Sequence, residues 1–326
     1  MVSGEFDRDR FREELARLAA GGVYLGTSSW KYPGWEGRLY TRDRYVWHGR
    51  FSQARFERTC LAEYAEVFKT VGVDAAYYAF PTAKYLAGLR EQVPADFLFS
   101  FKVTDDITLK HFPNLPRFGR RAGQPNPDFL NADRFATSFL GPLETIRNQV
   151  GLLIFEFSHF HPPDYHRGRD FVQDLDDFLR RLPGGWRYGV ELRNRSFLHP
   201  RYFDVLARHR VTHVFNSWEA MPPVAEQRLT PGCRTVPELI GARFLLRPGR
   251  RYEEAVRQFS PYDQVREVYP EGREAGADLI AEAWEGRGGI QAFIYINNRF
   301  EGNALATLAA MVDGALAILK SKQAGP

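Results

Sequence analysis

The sequence predicts a single α/β domain, a (β/α)8 TIM-like barrel with an extra N-terminal helix. Short β-rich runs alternate along the chain with amphipathic helical segments, a pattern typical of a parallel sheet with helical crossovers. Eight such runs can be counted, which is the number of strands that closes this type of barrel. The length of 326 residues is ordinary for such a barrel. An open doubly wound sheet is the alternative architecture.

The predicted domain covers residues 1–326, with an N-terminal helical extension over 1–22 and the barrel over 23–320. The extension carries a helix at Phe6–Ala20. The eight predicted strands are Val23–Ser28, Val73–Ala79, Phe97–Val103, Val150–Phe157, Tyr188–Asn194, His213–Asn216, Ala242–Arg247 and Ala292–Asn297. The clearest helical segments are Phe51–Thr70, Ala132–Arg147, Asp170–Leu182 and Gly276–Glu285. Leucines at helical spacing after Gly302 predict a final helix, and Asp313 within it indicates packing on the barrel rather than a membrane span.

The composition narrows the class of protein. Hydrophobic residues make up 44% of the chain, which is too many for a disordered protein. The net charge of +4 permits a polyanionic partner but does not require one. Two cysteines, Cys60 and Cys233, are too few for a disulfide framework, so we expect a cytoplasmic protein without membrane contact. Neither a dinucleotide-binding glycine motif nor a P-loop lysine motif is present, and no cofactor is predicted. The oligomeric state stays open.

Loop lengths indicate which end of the barrel carries the site. Connections that lead into strands are short, whereas several that leave strands are long, and barrel enzymes build their sites on the latter. The first long connection contains the stretch GTSSWKYPGWEGRLY. We expect Trp30, Tyr32 and Trp35 from this stretch to line the site and to stack on an apolar face of the ligand. The alternative is a structural plug of buried rings.

Charged residues on the central strands are candidate catalytic groups. Glu191 and Arg193 alternate with Val190 and Leu192, so the two charges share one face of the fifth strand. This face should point into the barrel, because the helices outside need apolar partners. By the same alternation, Lys102 points inward from the third strand.

Three of these groups are assigned catalytic roles. Glu156 ends the apolar run of the fourth strand and joins Glu191 and Lys102 as a catalytic candidate. Arg193 should keep Glu191 ionised as a base or a ligand-orienting anion. If no cation reaches Glu156, desolvation should raise its pKa and make it the proton donor. Lys102 would bind or polarise a substrate oxygen. The alternative is an ion network that satisfies itself and fills the barrel.

Further residues at or beyond strand ends are expected to bind substrate at the same mouth. They are Tyr78, Arg193, Arg247, Asn297 and Asn298, together with Trp30, Tyr32 and Trp35. Cations, amides and rings suit a small polar or anionic ligand, carbohydrate- or phosphate-like. The predicted function is therefore an isomerase- or hydrolase-like enzyme that uses carboxylate acid/base chemistry on such a molecule. A noncatalytic ligand-binding barrel is an alternative.

Two further alternatives concern metals and nucleic acids. His159 and His161 form an H-x-H pair near a glutamate, which is a motif that can bind a divalent metal, although no metal site is predicted. The basic runs RFGRR and RPGRRY could clamp a nucleic-acid strand together with stacking rings. Those rings are Trp35, Tyr40, Tyr45 and Trp47.

Several motifs resemble the YecE-like family, also called domain of unknown function 72. They are GTSSWKYPGW, AYYAFP, FLFSFKV with DIT, VGLLIFEF, VELRNRSF and YINNRFEGNA, in the family's order from about residue 23 to 320. The resemblance implies a fold similar to TIM barrels and no established activity.

Individual positions both match and depart from the family pattern. The matching candidate residues are Lys102, Glu191, Arg193, Asn297 and Asn298. The departures are Gly72, where the family usually has Glu, Asp74 in place of Asn, Leu109 in place of His, and Glu156 in place of Gln. An acid role shared across the family is therefore not implied for Glu156.

Overall fold

Eight parallel strands form the barrel, and the computed structural model describes residues 6–323 of the chain. The barrel strands β1–β8 are Val23–Thr27, Thr70–Val73, Leu98–Lys102, Val150–Phe157, Tyr188–Leu192, Thr212–Ser217, Leu239–Phe244 and Gln291–Ile296. Hydrogen-bonded ladders connect neighbours in chain order from β2 to β8, and β8 pairs with β1. This order confirms the predicted α/β barrel and differs from the strand order of an open doubly wound sheet.

A tyrosine closes the barrel between β1 and β2. The Tyr64 hydroxyl accepts a hydrogen bond from the Thr27 N–H group and donates one to the Thr70 carbonyl, both at 3.1 Å. Gly26 permits the close approach of the two strands, because a Cβ at this position would lie 2.5 Å from the Thr70 carbonyl oxygen. The Tyr64 side chain thus connects backbone groups of β1 and β2, which elsewhere in the barrel are joined by direct hydrogen bonds between strands.

Helices and short turns surround the strands. The α-helices are Arg8–Ala20, Gln53–Ala65, Ala83–Arg90, Asp105–Thr108, Ala132–Arg134, Gly141–Leu143, Gly168–Arg180, Pro200–Arg208, Val224–Arg228, Tyr252–Phe259, Pro270–Glu285 and Ala304–Gln323. The 3₁₀ turns are Pro33–Trp35, Arg42–Tyr45, Asp74–Tyr77, Pro116–Arg121, Glu144–Gln149 and Arg195–Phe197, and Phe135–Leu140 is a π-helical turn. Val46–Trp47 and Arg50–Phe51 form a small hairpin in the first loop.

The N-terminal helix begins where the sequence provides a cap. The Asp7 carboxylate accepts a hydrogen bond from the Arg10 N–H group, which satisfies a free donor of the first turn. On the outside of the helix, Arg8 pairs with Glu66 and Arg10 pairs with Asp313. The helix is therefore fixed to its neighbours on both sides, as part of the barrel domain.

Three predicted elements differ from the observed ones. The second strand ends at Val73, and the aromatic run after it turns into a 3₁₀ helix rather than continuing as a strand to Ala79. The seventh strand lies at Leu239–Phe244, earlier than predicted. The segment 132–147 is broken into α, π and 3₁₀ turns, and Pro142 within it lacks the N–H group that a continuous helix requires.

The last helix packs as part of the barrel. Ala304–Gln323 is long and apolar enough to cross a membrane by length and composition alone. However, Leu305, Leu308 and Met311 are completely buried. Gly276 in the preceding helix provides the room for Met311, since a Cβ there would lie 2.5 Å from its sulfur atom. The helix therefore contributes to the core of this domain.

The barrel interior changes from apolar to ionic along the strands. The amino-terminal part is filled by an apolar cluster that includes Leu152, Val214, Leu239, Phe293 and Tyr24. In the middle, the Tyr295 hydroxyl donates to Ser100 Oγ at 2.6 Å and contacts Thr70 Oγ1 at 2.8 Å. Charged side chains fill the carboxyl end. TIM barrels build their active sites at this end.

Candidate functional site

Six charged side chains from five parts of the barrel meet at its carboxyl end. They are Asp74 just beyond β2, Lys102 of β3, Glu156 of β4, Glu191 and Arg193 at the end of β5, and Arg243 of β7. We call these six residues the ionic layer. The inward direction predicted for three of them is confirmed, because Lys102 and Arg193 both contact Glu156 inside the barrel, and Arg193 also contacts Glu191.

Short contacts connect the whole ionic layer. Arg193 Nη2 donates to Glu156 Oε2 at 2.9 Å and to Glu191 Oε1 at 3.1 Å. Arg243 Nη1 donates to Glu191 Oε2 at 2.6 Å, and its Nη2 donates to Asp74 Oδ1 at 2.7 Å. Lys102 pairs with Glu156 Oε2. Each cation thus contacts at least one carboxylate.

The carboxylates Glu156 and Glu191 lie beneath the other members of the layer. Their side chains are at most 1% exposed, whereas the carboxylate of Asp74 is 33% exposed. Three cations face three carboxylates, so the layer is neutral when all six groups are ionised. A ligand entering the mouth meets Asp74 first among the six.

The surroundings of Glu156 argue against its predicted role as proton donor. Burial alone would raise the pKa of this carboxyl group, but Arg193, Lys102 and Arg243 together lower it to about 2. The sequence-based prediction assumed that no cation reaches Glu156. However, three cations reach it, because β3, the end of β5 and β7 each place one on the same face of the barrel. Glu156 is consequently an anion at neutral pH.

Lys102 is shifted in the opposite sense, toward neutrality of its amine. Burial lowers the pKa of Lys102, and repulsion from Arg193 and Arg243 lowers it further, whereas Glu156 opposes the shift. Its Nζ atom lies 3.5 Å from the centre of the Tyr77 ring. These surroundings make the proton of Lys102 easier to release than that of an ordinary lysine.

Three uncharged side chains near the mouth have a buried polar atom without a hydrogen-bond partner among residues 6–323. These atoms are Ser28 Oγ, Asn216 Oδ1 and Asn298 Nδ2, each on a residue that is at most 1% exposed. Ser28 follows β1, Asn216 belongs to β6, and Asn298 follows β8. A buried polar atom without a protein partner costs free energy unless water or a ligand satisfies it. The mouth therefore has hydrogen-bonding capacity beyond its ion pairs.

The aromatic stretch after β1 is mostly packed inside the protein. Trp35 is completely buried, and its Nε1 atom donates to Asn298 Oδ1 at 3.2 Å. Trp30 is also buried, so the prediction that these two rings stack on a ligand is not supported. Tyr32 is half-buried, and burial raises the pKa of its hydroxyl to about 12. The charge of Arg299 opposes this shift and the charge of Asp74 adds to it. Of the three predicted rings, only Tyr32 reaches the mouth.

Arg247 is not part of the ionic layer, contrary to prediction. Because β7 ends at Phe244, Arg247 lies in the following loop, where it pairs with Glu267. Arg243 provides the cation instead. The alternation of Gly241 and Arg243 with Ala242 and Phe244 is the sequence signal that could have identified it.

The remaining predicted residues support the mouth in different ways. Tyr78 is exposed at the rim, with the Arg117 guanidinium 5.0 Å from its ring centre. Asn297 Oδ1 accepts a hydrogen bond from the Arg299 N–H group, and Asn298 Oδ1 accepts one from Ala304 at the start of the last helix. Both asparagines are buried and shape the loop after β8.

One residue of the mouth was not predicted. No sequence motif pointed to Trp218, whose ring centre lies 3.6 Å from the guanidinium of Arg193.

The metal and nucleic-acid alternatives gain little from the geometry. Within residues 6–323, no three His, Cys, Asp or Glu side chains are grouped to hold a metal ion. Of the four rings suggested for stacking on nucleic acid, Trp35, Tyr40 and Tyr45 are buried, and only Trp47 is exposed. Several arginines of the two basic runs pair with carboxylates of this chain. These are Arg117, Arg121, Arg247 and Arg250.

Comparison with known proteins agrees with this barrel. The UPF0759 protein YecE of Escherichia coli K12 is 26% identical over 182 residues, which are 56% of this chain and 50% of that protein. A DUF72 family protein from Enterococcus faecalis V583 superposes with a TM-score of 0.58 at 18% identity, covering 90% of this chain and 95% of that chain. A DUF72 family protein from Thermotoga maritima MSB8 gives a TM-score of 0.54 at 17% identity, covering 91% and 99%. At these identities the structural likeness shows the fold.

The resemblance predicted from the motifs is tested by a model of the whole family. The family model described as "Protein of unknown function DUF72" matches residues 24–324. This range includes β2–β8 entirely, all of β1 except Val23, and every member of the ionic layer. The chain therefore belongs to the DUF72 family.

Proposed function

We propose that the protein is an enzyme that uses Lys102 to exchange a proton with a small polar or anionic substrate. The setting of Lys102 carries this proposal. Its side chain is only 13% exposed, and its amine contacts Glu156, lies over the Tyr77 ring and has a lowered pKa. A buried lysine with such a shift, at the carboxyl end of a barrel, is typical of an acid/base group.

The other members of the ionic layer have supporting roles in this proposal. Neutral Lys102 takes a proton from the substrate, and Arg193 and Arg243 stabilise the negative charge that develops on a substrate oxygen. The arginines cannot be the base, because a guanidinium stays protonated in proteins. Glu156 stays ionised and holds Lys102 in position. The predicted carboxylate acid/base mechanism is thereby replaced by an amine mechanism.

Energetics favour a functional site over a structural plug. Replacing a buried ion network by well-packed apolar residues is often neutral or stabilising. The lower barrel interior shows that this chain can fill the same space with apolar side chains. Charges are concentrated at the mouth, where Ser28, Asn216 and Asn298 also carry buried atoms without protein partners. A plug selected for stability alone would require neither feature.

The test compares two replacements of Lys102. Lys102→Arg keeps the positive charge but cannot release a proton, whereas Lys102→Met removes the charge and keeps much of the volume. Small molecules that copurify with the wild-type protein are identified by native mass spectrometry and then used as substrates. We expect Lys102→Arg to retain ligand and lose turnover, and the wild-type rate to increase with pH through the lowered pKa of Lys102.

Lys69→Arg is the matched control. Lys69 pairs with Asp96 at 3.0 Å just before β2, at the opposite end of the barrel from the ionic layer. Its replacement should leave turnover unchanged. Full turnover by Lys102→Arg would refute the proposal. A retained ligand that the wild-type protein leaves chemically unchanged would instead indicate a noncatalytic binding protein.

A further inference from the structure

A stack of two cations with two rings between them leads from the ionic layer to the rim. The guanidinium of Arg193 lies 3.6 Å from the centre of the Trp218 ring. Trp218 is followed by Tyr252, with ring centres 6.4 Å apart, and the guanidinium of Arg299 lies 4.7 Å from the centre of Tyr252. Trp218 follows β6, Tyr252 opens the helix after β7, and Arg299 follows β8. Three successive loops thus form one wall of the mouth.

The two cations at the ends of this wall differ in their partners. Arg193 is nearly buried and contacts two carboxylates. Arg299 has no salt-bridge partner anywhere in residues 6–323, and its buried Nε atom has no hydrogen-bond partner there. Other arginines of the rim, such as Arg117 and Arg250, pair with carboxylates. The buried Nε atom of Arg250 also lacks a partner, so Arg299 differs from these two arginines in having no carboxylate partner.

The position of Arg299 is fixed rather than random. Its backbone N–H group donates to Asn297 Oδ1 at 3.0 Å, in the loop that also carries Asn298. The charge of Arg299 lowers the pKa of the hydroxyls of both Tyr32 and Tyr78, and the charge of Asp74 raises it, so both charges lie near these hydroxyls. Arg299 consequently belongs to the same mouth as the ionic layer.

From these contacts we infer that Arg299 binds an anionic group of the substrate, a phosphate or a carboxylate, at a subsite separate from Lys102. Tyr252, which is partly exposed, provides a ring face for the part of the substrate next to that group. This inference rests on the proposed function and narrows its substrate class. The substrate then has two ends, a reacting end at Lys102 and an anionic end at Arg299.

The neutrality of the ionic layer explains why a separate anion subsite is needed. Each of its cations already contacts a carboxylate, so an anion that binds there has to compete with Glu156, Glu191 or Asp74. An anion that binds Arg299 does not have to displace a carboxylate. A charge-assisted hydrogen bond to an oxyanion is also stronger than one between neutral groups. The anionic end of a substrate is therefore held most favourably at the rim.

The test is calorimetric titration of the whole protein with inorganic phosphate, and separately with acetate, at physiological ionic strength. We expect Arg299→Gln to weaken phosphate binding about tenfold, as loss of one charge-assisted hydrogen bond predicts. Tighter binding of phosphate than of acetate would assign a phosphorylated substrate, and the reverse a carboxylate. Arg251→Gln is the control, because it removes an exposed arginine next to Tyr252 and the same net charge.

Lys102→Arg separates this inference from the proposed function. If the two subsites are distinct, Lys102→Arg binds phosphate with unchanged affinity, whatever its effect on turnover. Equal weakening by Arg299→Gln and Arg251→Gln would overturn the inference, as would no detectable binding of either anion. Loss of phosphate binding in Lys102→Arg but not in Arg299→Gln would place the anion in the ionic layer. That result would overturn the rim subsite and leave the role of Lys102 standing.

Discussion

Replacing Glu191 by Gln should destabilise the protein strongly, because Glu191 is held by two arginines at once. Its Oε1 atom accepts bonds from Arg193 Nε and Nη2 at 3.2 and 3.1 Å, and Oε2 accepts one from Arg243 Nη1 at 2.6 Å. The glutamine amide places an N–H donor against one of these donors. The substitution also leaves a net positive charge in a layer where Glu191 itself is fully buried.

The size of the effect follows from that burial. Removing one partner of a buried ion pair costs about 3–5 kcal/mol, because the remaining charge loses its compensation. At about 2.1 cal/mol/K per residue, a domain of this size has an unfolding entropy of roughly 0.7 kcal/mol/K, so each kcal/mol lowers the melting temperature by roughly 1.5 °C. We therefore expect Glu191→Gln to lower the melting temperature by roughly 4–7 °C. Urea unfolding followed by circular dichroism, together with thermal scans, would measure both quantities.

Two further variants show whether the ionic layer is responsible. Adding Arg243→Met to Glu191→Gln restores charge neutrality, so the double variant should lose less stability than the two single losses added together. Glu301→Gln is the matched control, since Glu301 is fully buried and pairs with Arg273 at 2.9 Å outside the ionic layer. The Glu301→Gln variant should be less stable than the wild-type protein but should still bind the ligand. A loss below about 1 kcal/mol for Glu191→Gln would refute the reasoning.

Three other predictions concern the same framework. Because the pKa of Glu156 is depressed to about 2, its contribution to stability is present above the unfolded value near 4.3 and is lost as pH falls toward 2; Glu156→Gln should flatten the acid limb of stability measured by urea unfolding. Tyr64→Phe should cost about 1–3 kcal/mol by the same measurement, because it leaves the Thr27 N–H group without its bridging partner. Asp74→Asn should change stability by less than about 1 kcal/mol, since Asp74 is partly exposed, but should tighten phosphate binding at Arg299 in calorimetry by removing a negative charge from the same mouth.

Period-two alternation made part of the site predictable from sequence. On β5, Glu191 and Arg193 alternate with apolar neighbours, and this local pattern is sufficient to assign both charges to the barrel interior. The same reasoning was sufficient for Lys102 on β3. These predictions depended only on the chain near each residue, and the structure agrees with all three inward placements.

The predictions that failed needed strand boundaries or contacts between distant strands. Arg247 was chosen instead of Arg243 because the predicted β7 was placed too late, and the boundary decides which arginine is inside. Glu156 was assigned a raised pKa because its cations come from other strands. Trp35 looked like a ligand-stacking ring because the sequence could not show that Asn298, far along the chain, accepts its N–H group.

The neutrality of the ionic layer gives Lys102 a specific advantage over the other groups as an acid/base residue. An excess of carboxylates in the layer would keep the Lys102 amine protonated. An excess of cations would leave positive charge in the barrel without a compensating carboxylate, which is costly. In the observed layer, Glu156 positions Lys102 while Arg193 and Arg243 oppose its protonation. Loss of the Lys102 proton leaves the layer with one net negative charge, and a proton taken from the substrate returns the layer to neutrality. The negative charge then lies on a substrate oxygen, where Arg193 and Arg243 can stabilise it, which is why the layer suits proton abstraction better than simple anion storage.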